Sequence, residues 1–408
     1  MFSHLFKIFA NQWRSNLWIM AELLLAFVCI WQVALVLLSL ITLKCTPKGF
    51  DLEHVYMVSY VMKSKDVPGY DSTSVSADDL RLLVERVRRF SGVEAAGFTT
   101  HTAYPYTGSS HGNTYYGDTT TVGCVYGSLT PEVVPVFRLS THAEGVDLER
   151  EARRGDVFLV TPEMMAKLYD EHTTHARIYR FENRDKACTA LRSDYRTNEY
   201  GMGYGGCGAC RFQPEAELLA EGVRLTMFIR VRPEADHDFV DHFFSTMRTQ
   251  LTSGNVTIVG LTKMTDERHR ILGYYGINMR YAVGYFLSAF FLICVFLGII
   301  GTFWFRTESR TSEIGLRMAL GSTRSQVRRQ MVGEGLLLFA VVWVPGMVLC
   351  WLLRNVFSDG IDGMSDVAFY ASLSLLSTLV MALLIVAGAW MPARQASRIN
   401  PVDALRYE

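Results

Sequence analysis

Charge of either sign is in short supply. The 408 residues carry 40 Lys and Arg against 40 Asp and Glu, and charged residues make up only 20% of the chain, below the roughly 25% of ordinary soluble proteins. With no excess of positive charge, a global electrostatic grip on nucleic acid is excluded as the organising function. No lysine follows a glycine. A P-loop needs Gly-Lys-Ser/Thr so that backbone amides and a lysine hold phosphates together, so the chain offers no ATP site of that kind. No H-E-x-x-H is present, and the scattered His, Ser and Asp read as surface residues rather than a hydrolase centre. The reading is of a non-catalytic chain without cofactor or metal.

The missing charge is localised. Leu23 to Leu43, Tyr281 to Phe305, Gly335 to Leu353 and Val367 to Ala393 contain no Asp, Glu, Lys or Arg, and they run 19 to 27 residues. About 20 apolar residues are needed for a helix to cross the hydrocarbon core, so four membrane helices are expected. The first is too long for the apolar region of a signal peptide, and no small-x-small site stands before Lys44. A lipid anchor on Cys45 is disfavoured because Lys44 stands where a small residue is wanted. Ion-coupled carriers need ionisable groups inside the bilayer, and these four runs lack them. Energy must then arrive from outside the chain.

The spans divide the sequence into 1–22, an N-terminal segment; 23–43, the first membrane helix; 44–264, a large extracytoplasmic domain; 265–305, a stalk and second helix; 306–334, a loop; 335–353, the third helix; 354–366, a short loop; 367–393, the fourth helix; and 394–408, a tail. Lys7 and Arg14, Arg306, Arg310, Arg317, Arg324, Arg328 and Arg329, and Arg394, Arg398 and Arg406 all fall on one side. The 354–366 loop has only Arg354 beside Asp359, Asp362 and Asp366. Positive charge stays cytoplasmic, which places both termini and the 306–334 loop inside and 44–264 outside, periplasmic or extracellular. Gly284 and Ser288 form a small-xxx-small pair that would suit close approach of a second copy.

The fold class is an α+β membrane protein. Strands are expected at Val55–Met62, Val93–Thr99, Thr121–Gly127, Val157–Thr161 and Leu225–Val231, and helices at Pro162–Tyr169 and Asp238–Leu251. Ser76 reads as an N-cap, with Asp79 in the first turn and Leu80, Leu83, Val84 and Val87 on one face. Interleaved strands and helices suggest small α+β subdomains. Thr265 to Arg280 keeps Ile271, Tyr275 and Met279 at helical spacing and is read as a stalk continuous with the second membrane helix; the alternative, an independent surface helix, needs a break that Gly273 or Gly276 could supply.

In the 306–334 loop, Ile314, Leu316, Met318 and Leu320 make a short apolar helix stopped by Gly321. Thr323 and Gln326 form a capping box for the next helix. Such a hairpin either lies on anionic lipid or docks a cytoplasmic partner, and the residues alone do not decide. The segment Glu313–Gly321, EIGLRMALG, with the arginines after it, resembles the coupling loop of MacB/FtsX-type permeases of ABC transporters. The ending Pro392–Glu408, PARQASRINPVDALRYE, is similar to the end of that family, with Asn400, Pro401 and Asp403 suited to starting a short helix. VYGSLTPEVVPVF from Val125 and GDVFLVTPEMMAKLY from Gly155 look like the family's periplasmic core domain.

That resemblance implies a permease subunit of an ABC complex in the inner membrane, multi-pass. It would transmit ATP-driven motion of a separate ATP-binding subunit to the outer domain, for efflux or other envelope transport. It further implies that Glu313, Ile314, Gly315, Leu316, Arg317, Ala319, Leu320 and Gly321 form the ATPase-docking surface. Two permease copies, with a periplasmic adaptor or outer-membrane partner, fit the same picture, with no role for nucleic acid. The alternative is a membrane-anchored receptor or scaffold without an ATPase. Among the outer cysteines, Cys207-x-x-Cys210 with Cys188 reads first as a disulfide site in an oxidising compartment. A zinc site with His172 or His175, a redox pair, or an unbridged glycine-rich loop remain open.

Overall fold

The computed structural model describes residues 13–45, 47–180, 187–197, 206–221, 224–357 and 367–396. The tail positions Arg398, Asn400, Pro401, Asp403 and Arg406, the glycines Gly201, Gly203 and Gly205, Lys7, and the loop acids Asp359, Asp362 and Asp366 lie outside them. The chain divides into two compact units, Cys45–Asn278 and the two segments that flank it.

The flanking segments build a bundle of long helices: α1 (Trp13–Cys45), α9 (Ile277–Glu308), α11 (Arg324–Phe357) and α12 (Val367–Ala396). All four are long and apolar enough to cross a membrane. Phe27, Ile30, Trp31, Ile299, Phe303, Leu338, Val342, Leu373, Met381 and Ile385 fill its core. Trp343 donates its indole N–H to Thr378 Oγ1 at 2.9 Å across the α11–α12 seam. The first span reaches from Leu17 to Thr42 and so takes in Glu22. The charge-free window hid this carboxylate because it begins one residue later. Thr302 Oγ1 lies 2.7 and 2.6 Å from its two oxygens, supplying from α9 the partner that a carboxylate within a membrane span requires. Gly284 is also not an open face for a second copy: a Cβ there would lie 3.2 Å from Leu40 Cδ1 and 3.4 Å from Val36 Cγ1 of the same chain's α1. Ser288 is buried beside it in sequence phase, so this small-residue pair serves packing within the bundle.

The other unit is mixed α and β around an eleven-stranded sheet. One half orders β10 (Thr252–Ser253), β11 (Val256–Lys263), β1 (Val55–Met62), β9 (Leu225–Val231) and β2 (Val93–Thr100), all antiparallel. Helix α2 (Ser76–Arg88) covers it with Leu80, Leu83, Val84 and Val87, joined by Phe239 and Phe243 of α7 (Phe239–Thr246). Ser76 begins α2 without capping it; the preceding Val75 is extended and gives no side-chain cap. Helix α7 is shorter than the expected Asp238–Leu251, because Thr252 to Lys263 turns back as the β10–β11 hairpin that pairs with β1. Buried Asp79 accepts from Ser253 Oγ at 3.3 Å and from the Asn255 amide at 3.1 Å. A residue read as a helix-dipole partner thus also pins that hairpin.

The second half orders β4 (Thr121–Leu129), β3 (Gly112–Tyr116), β6 (His175–Tyr179), β7 (Ala187–Arg192), β5 (Val157–Val160) and β8 (Gly208–Phe212). Parallel pairing of β8 with β4 closes these six strands into a ring, which removes the free edges. One side chain parity from every strand points inward, including Tyr115, Cys124, Phe158, Ile178, Ala190 and Ala209. Met164, Met165 and Leu168 of α5 (Pro162–Leu168) pack with them. Short helices α3 (Val133–Phe137) and α4 (Leu148–Ala152) cover the opposite face. One further short helix, α6 (Glu215–Ala220), follows β8. The stalk is interrupted. Helix α8 (Met264–Tyr274) stops before Gly276, whose φ of +64° is left-handed, and α9 begins at Ile277.

Candidate functional site

The loop between α9 and α11 forms the helix α10 (Thr311–Ala319). Its stop signal acts as its chemistry dictates: Gly321 takes φ +100°, and the Ser322 amide reaches back to the Arg317 carbonyl at 3.0 Å. The capping box then starts α11. The Thr323 amide donates to Gln326 Oε1 at 2.9 Å and the Gln326 amide to Thr323 Oγ1 at 3.3 Å.

Helix α10 is apolar on two sides. Ile314 and Met318, one turn apart, pack against Val327 and Met331 of α11. Leu316 and Leu320, also one turn apart, point away and are 51% and 80% exposed. Ala319 and Gly321 are exposed with them. The eight residues expected to form a docking surface therefore separate. Leu316, Ala319, Leu320 and Gly321 face outward, whereas Ile314 and Gly315 are buried against the chain's own helices.

Glu313 and Arg317 belong to an ion network. Glu313 accepts from Arg310 Nε at 2.7 Å and Nη2 at 3.1 Å, and from Arg317 Nη2 at 2.5 Å. Arg310 also donates Nη1 to Glu334 Oε2 of α11 at 2.7 Å, and Arg306 of α9 lies 3.7 Å from the same oxygen. Gln330 Nε2 donates to the other Glu334 oxygen at 3.1 Å. The Arg310 guanidinium holds the Glu313 carboxyl below the ordinary carboxylate range, and its hydrogen bond to Glu313 holds Arg310 above its own ordinary value. Both stay charged at any physiological pH. Glu334 went unread in the sequence because it borders an apolar run and looked like a membrane-boundary residue.

The cysteines are placed by strand parity. Cys207 and Cys210 are three residues apart on an extended segment, so their side chains face opposite ways. Cys207 joins the interior of the ring with Cys124 and Cys188, while Cys210 joins the outer core with Phe212. The structure holds no disulfide among Cys188, Cys207 and Cys210, and a Cys207–Cys210 bridge would have to pass through the strand. Burial pushes the Cys210 thiol well above its ordinary value, the reverse of a reactive thiolate. His172 and His175 are exposed, and among the described residues no His, Cys, Asp and Glu are grouped to hold a metal. Non-reducing peptide mapping should recover no Cys207–Cys210 bridge. Cys210→Ser should cost about 1–2 kcal/mol by burying an unpartnered hydroxyl, read as a lowered denaturation midpoint.

Gly108 to Gly112 reads GSSHG and so carries the letters of a G-x-S-x-G elbow. The motif's chemistry needs a strand-to-helix turn. Here the segment runs into β3, with Ser110 on an exposed loop, so no nucleophile is prepared.

Comparison with known proteins bears on the bundle and its loop. Residues 285–401 match the model of the FtsX-like permease C-terminal domain. The chain is 35% identical over 126 residues to the macrolide export ATP-binding/permease protein MacB of Shewanella sp. (strain W3-18-1), covering 30% of this chain and 19% of that protein. It is 32% identical over 156 residues to MacB of Rhodopirellula baltica, covering 38% and 22% respectively. The chain thus spans about a fifth of the length of these relatives. The extracellular domain of the ABC-type transporter YknZ from Gram-positive bacteria superposes with a TM-score of 0.33 at 9% identity, covering 50% of this chain and 100% of that one.

Proposed function

We propose that this chain, a homologue of MacB that carries an FtsX-like permease domain, is the membrane subunit of an ABC transporter complex that passes ATP-driven motion to its outer domain. The observation that carries the reading is the Leu316–Leu320 stripe, two exposed leucines on a helix held from behind by ions and by Ile314 and Met318. A solvated loop gains nothing by presenting such a stripe; a partner's apolar cleft covers it. The arginine-rich ends support a cytoplasmic location for this loop and both termini, where ATP is available, with 44–264 outside. An ATP-binding partner docks on Leu316, Ala319, Leu320 and Gly321, with exposed Arg324 and Arg329 at the rim. Two copies of the permease act with two ATPase subunits, for efflux or envelope-related transport.

Cysteine labels near Asp118 should react from outside and labels near Arg317 only from inside. The opposite pattern overturns the orientation and with it the docking role. Purification of the full chain from its native membrane should bring with it ATP hydrolysis that the permease stimulates. A chain that reaches the membrane in full abundance but purifies without an ATP-binding subunit is a membrane-anchored receptor or scaffold instead.

A further inference from the structure

We infer that Glu334 is a positioning residue: it clamps the loop helix α10 to the membrane helices α9 and α11, so that the loop moves only together with them. Its side chain is 11% exposed and meets two guanidinium groups from different elements, Arg306 from α9 and Arg310 from the start of the loop. From Arg310 the chain of charge continues through Glu313 to Arg317 on the next turn of α10. One carboxylate on α11 is thereby linked, through Arg310 just before α10, to the ion pair that Glu313 and Arg317 make on that helix.

Apart from Thr311 Oγ1, which donates to the Thr307 and Glu308 carbonyls at the end of α9, little else orients α10. Nine residues are too few for a helix to be stable alone, and its apolar backing amounts to Ile314 and Met318 on Val327 and Met331. A cavity of about 20 Å³ beside the clamp, lined by Arg310, Ile314, Arg317, Gln330 and Glu334 among others, has room for a single water. The apolar contact alone therefore leaves slack. Charged pairs that are mostly withdrawn from water attract strongly over these distances. Arg310 reaches Glu334 through Nη1 while its Nε and Nη2 grip Glu313 in a two-pronged contact, so one guanidinium joins α11 to α10 in a fixed direction. The bundle itself does not depend on Glu334, since its core lies elsewhere, among Phe27, Leu338, Leu373 and Ile385.

The consequence for coupling rests on the docking role proposed above, whereas the clamp itself is read without any partner. Spin labels on exposed Ser312 and Ser325, in the full chain in lipid nanodiscs, should give one narrow distance distribution. Glu334→Gln keeps the shape and removes the charge; it should broaden that distribution, and Glu334→Asp should restore it. With the ATP-binding subunit that co-purifies with the unsubstituted chain, Glu334→Gln should lower maximal stimulation of ATP hydrolysis at least tenfold. The subunit concentration giving half-maximal stimulation should stay within twofold. An unchanged narrow distribution in Glu334→Gln overturns the clamp. A tenfold rise in the half-maximal concentration with the maximum preserved overturns it too, making Glu334 a docking residue. If the unsubstituted chain binds no ATPase, the transporter reading fails and the label distances still decide the clamp.

Discussion

Leu316→Asp is expected to abolish stimulation of the partner ATPase while leaving the chain inserted and abundant. In the chain alone the side chain is 51% exposed, and surface substitutions of that kind change stability by about half a kcal/mol or less. The bundle core is untouched, and Leu316 lies outside all four spans. Once the stripe enters an apolar cleft, the carboxylate is desolvated without a partner, which costs several kcal/mol, or at least about a hundredfold in association. Leu320→Asp should behave alike, because it continues the same stripe one turn on. Ile314→Asp should differ in kind: it buries a charge against Val327 and Met331 and should reduce the abundance of the folded chain. Arg324→Ala, at the proposed rim, should weaken association only mildly. The measurement is co-purification and stimulated ATP hydrolysis at matched membrane abundance. A Leu316→Asp chain that still couples fully would show that α10 is not the docking element and would favour the scaffold.

The membrane helices were legible because a bilayer imposes one simple demand, some twenty residues without charge, and composition displays it directly. The same rule blinded the reading to Glu22: a window that stops at the first charge cannot reveal that Thr302, 280 positions away, satisfies it. In the loop, the stop at Gly321 and the cap at Thr323 are local chemistry and could be read. Which of the two leucine-type stripes faces outward could not, since that depends on Val327 and Met331 arriving from α11. That Glu313 and Arg317 pair with each other, and Glu313 with an Arg310 that also holds Glu334 of α11, is likewise invisible in the sequence. The stalk breaks at Gly276, one of the two glycines able to interrupt it, where the chain turns left-handed. In the outer domain the expected strands coincide with β1, β2, β4, β5 and β9, whereas β11 is missed despite its β-branched VTIVGLTK and β8 is hidden in a glycine-rich stretch. Recognising it as a strand would have shown at once that Cys207 and Cys210 face opposite ways.

Arg230→Met should destabilise the outer domain's first sheet half, although the residue touches no proposed partner. Arg230 sits near the end of β9 with no exposed surface. Its guanidinium donates to the Val136 carbonyl at 2.7 Å, the Glu53 carbonyl at 3.0 Å and the Asp51 carbonyl at 3.0 Å, and to Asp51 Oδ2 at 3.2 Å. One side chain thus ties the entry to β1 and the end of α3 to a central strand. Methionine fills similar volume and supplies none of those donors. Carbonyls at a buried site are then left without partners, and removing one member of a buried charge pair typically costs about 3–5 kcal/mol. Arg138, 3.1 Å from Asp51 Oδ2 on the solvent side, keeps that carboxylate partly neutralised, so the lower end of the range is the better expectation. Because every tryptophan lies outside Cys45–Asn278, hydrogen exchange of the full chain is the suitable readout. Amides of β1, β9 and β2 should exchange about a hundredfold faster, the factor that ~3 kcal/mol produces, while those of α11 and α12 keep their rates. Unchanged protection in β9 would mean that Val136, Glu53 and Asp51 find other donors, and that the guanidinium is not what joins these segments.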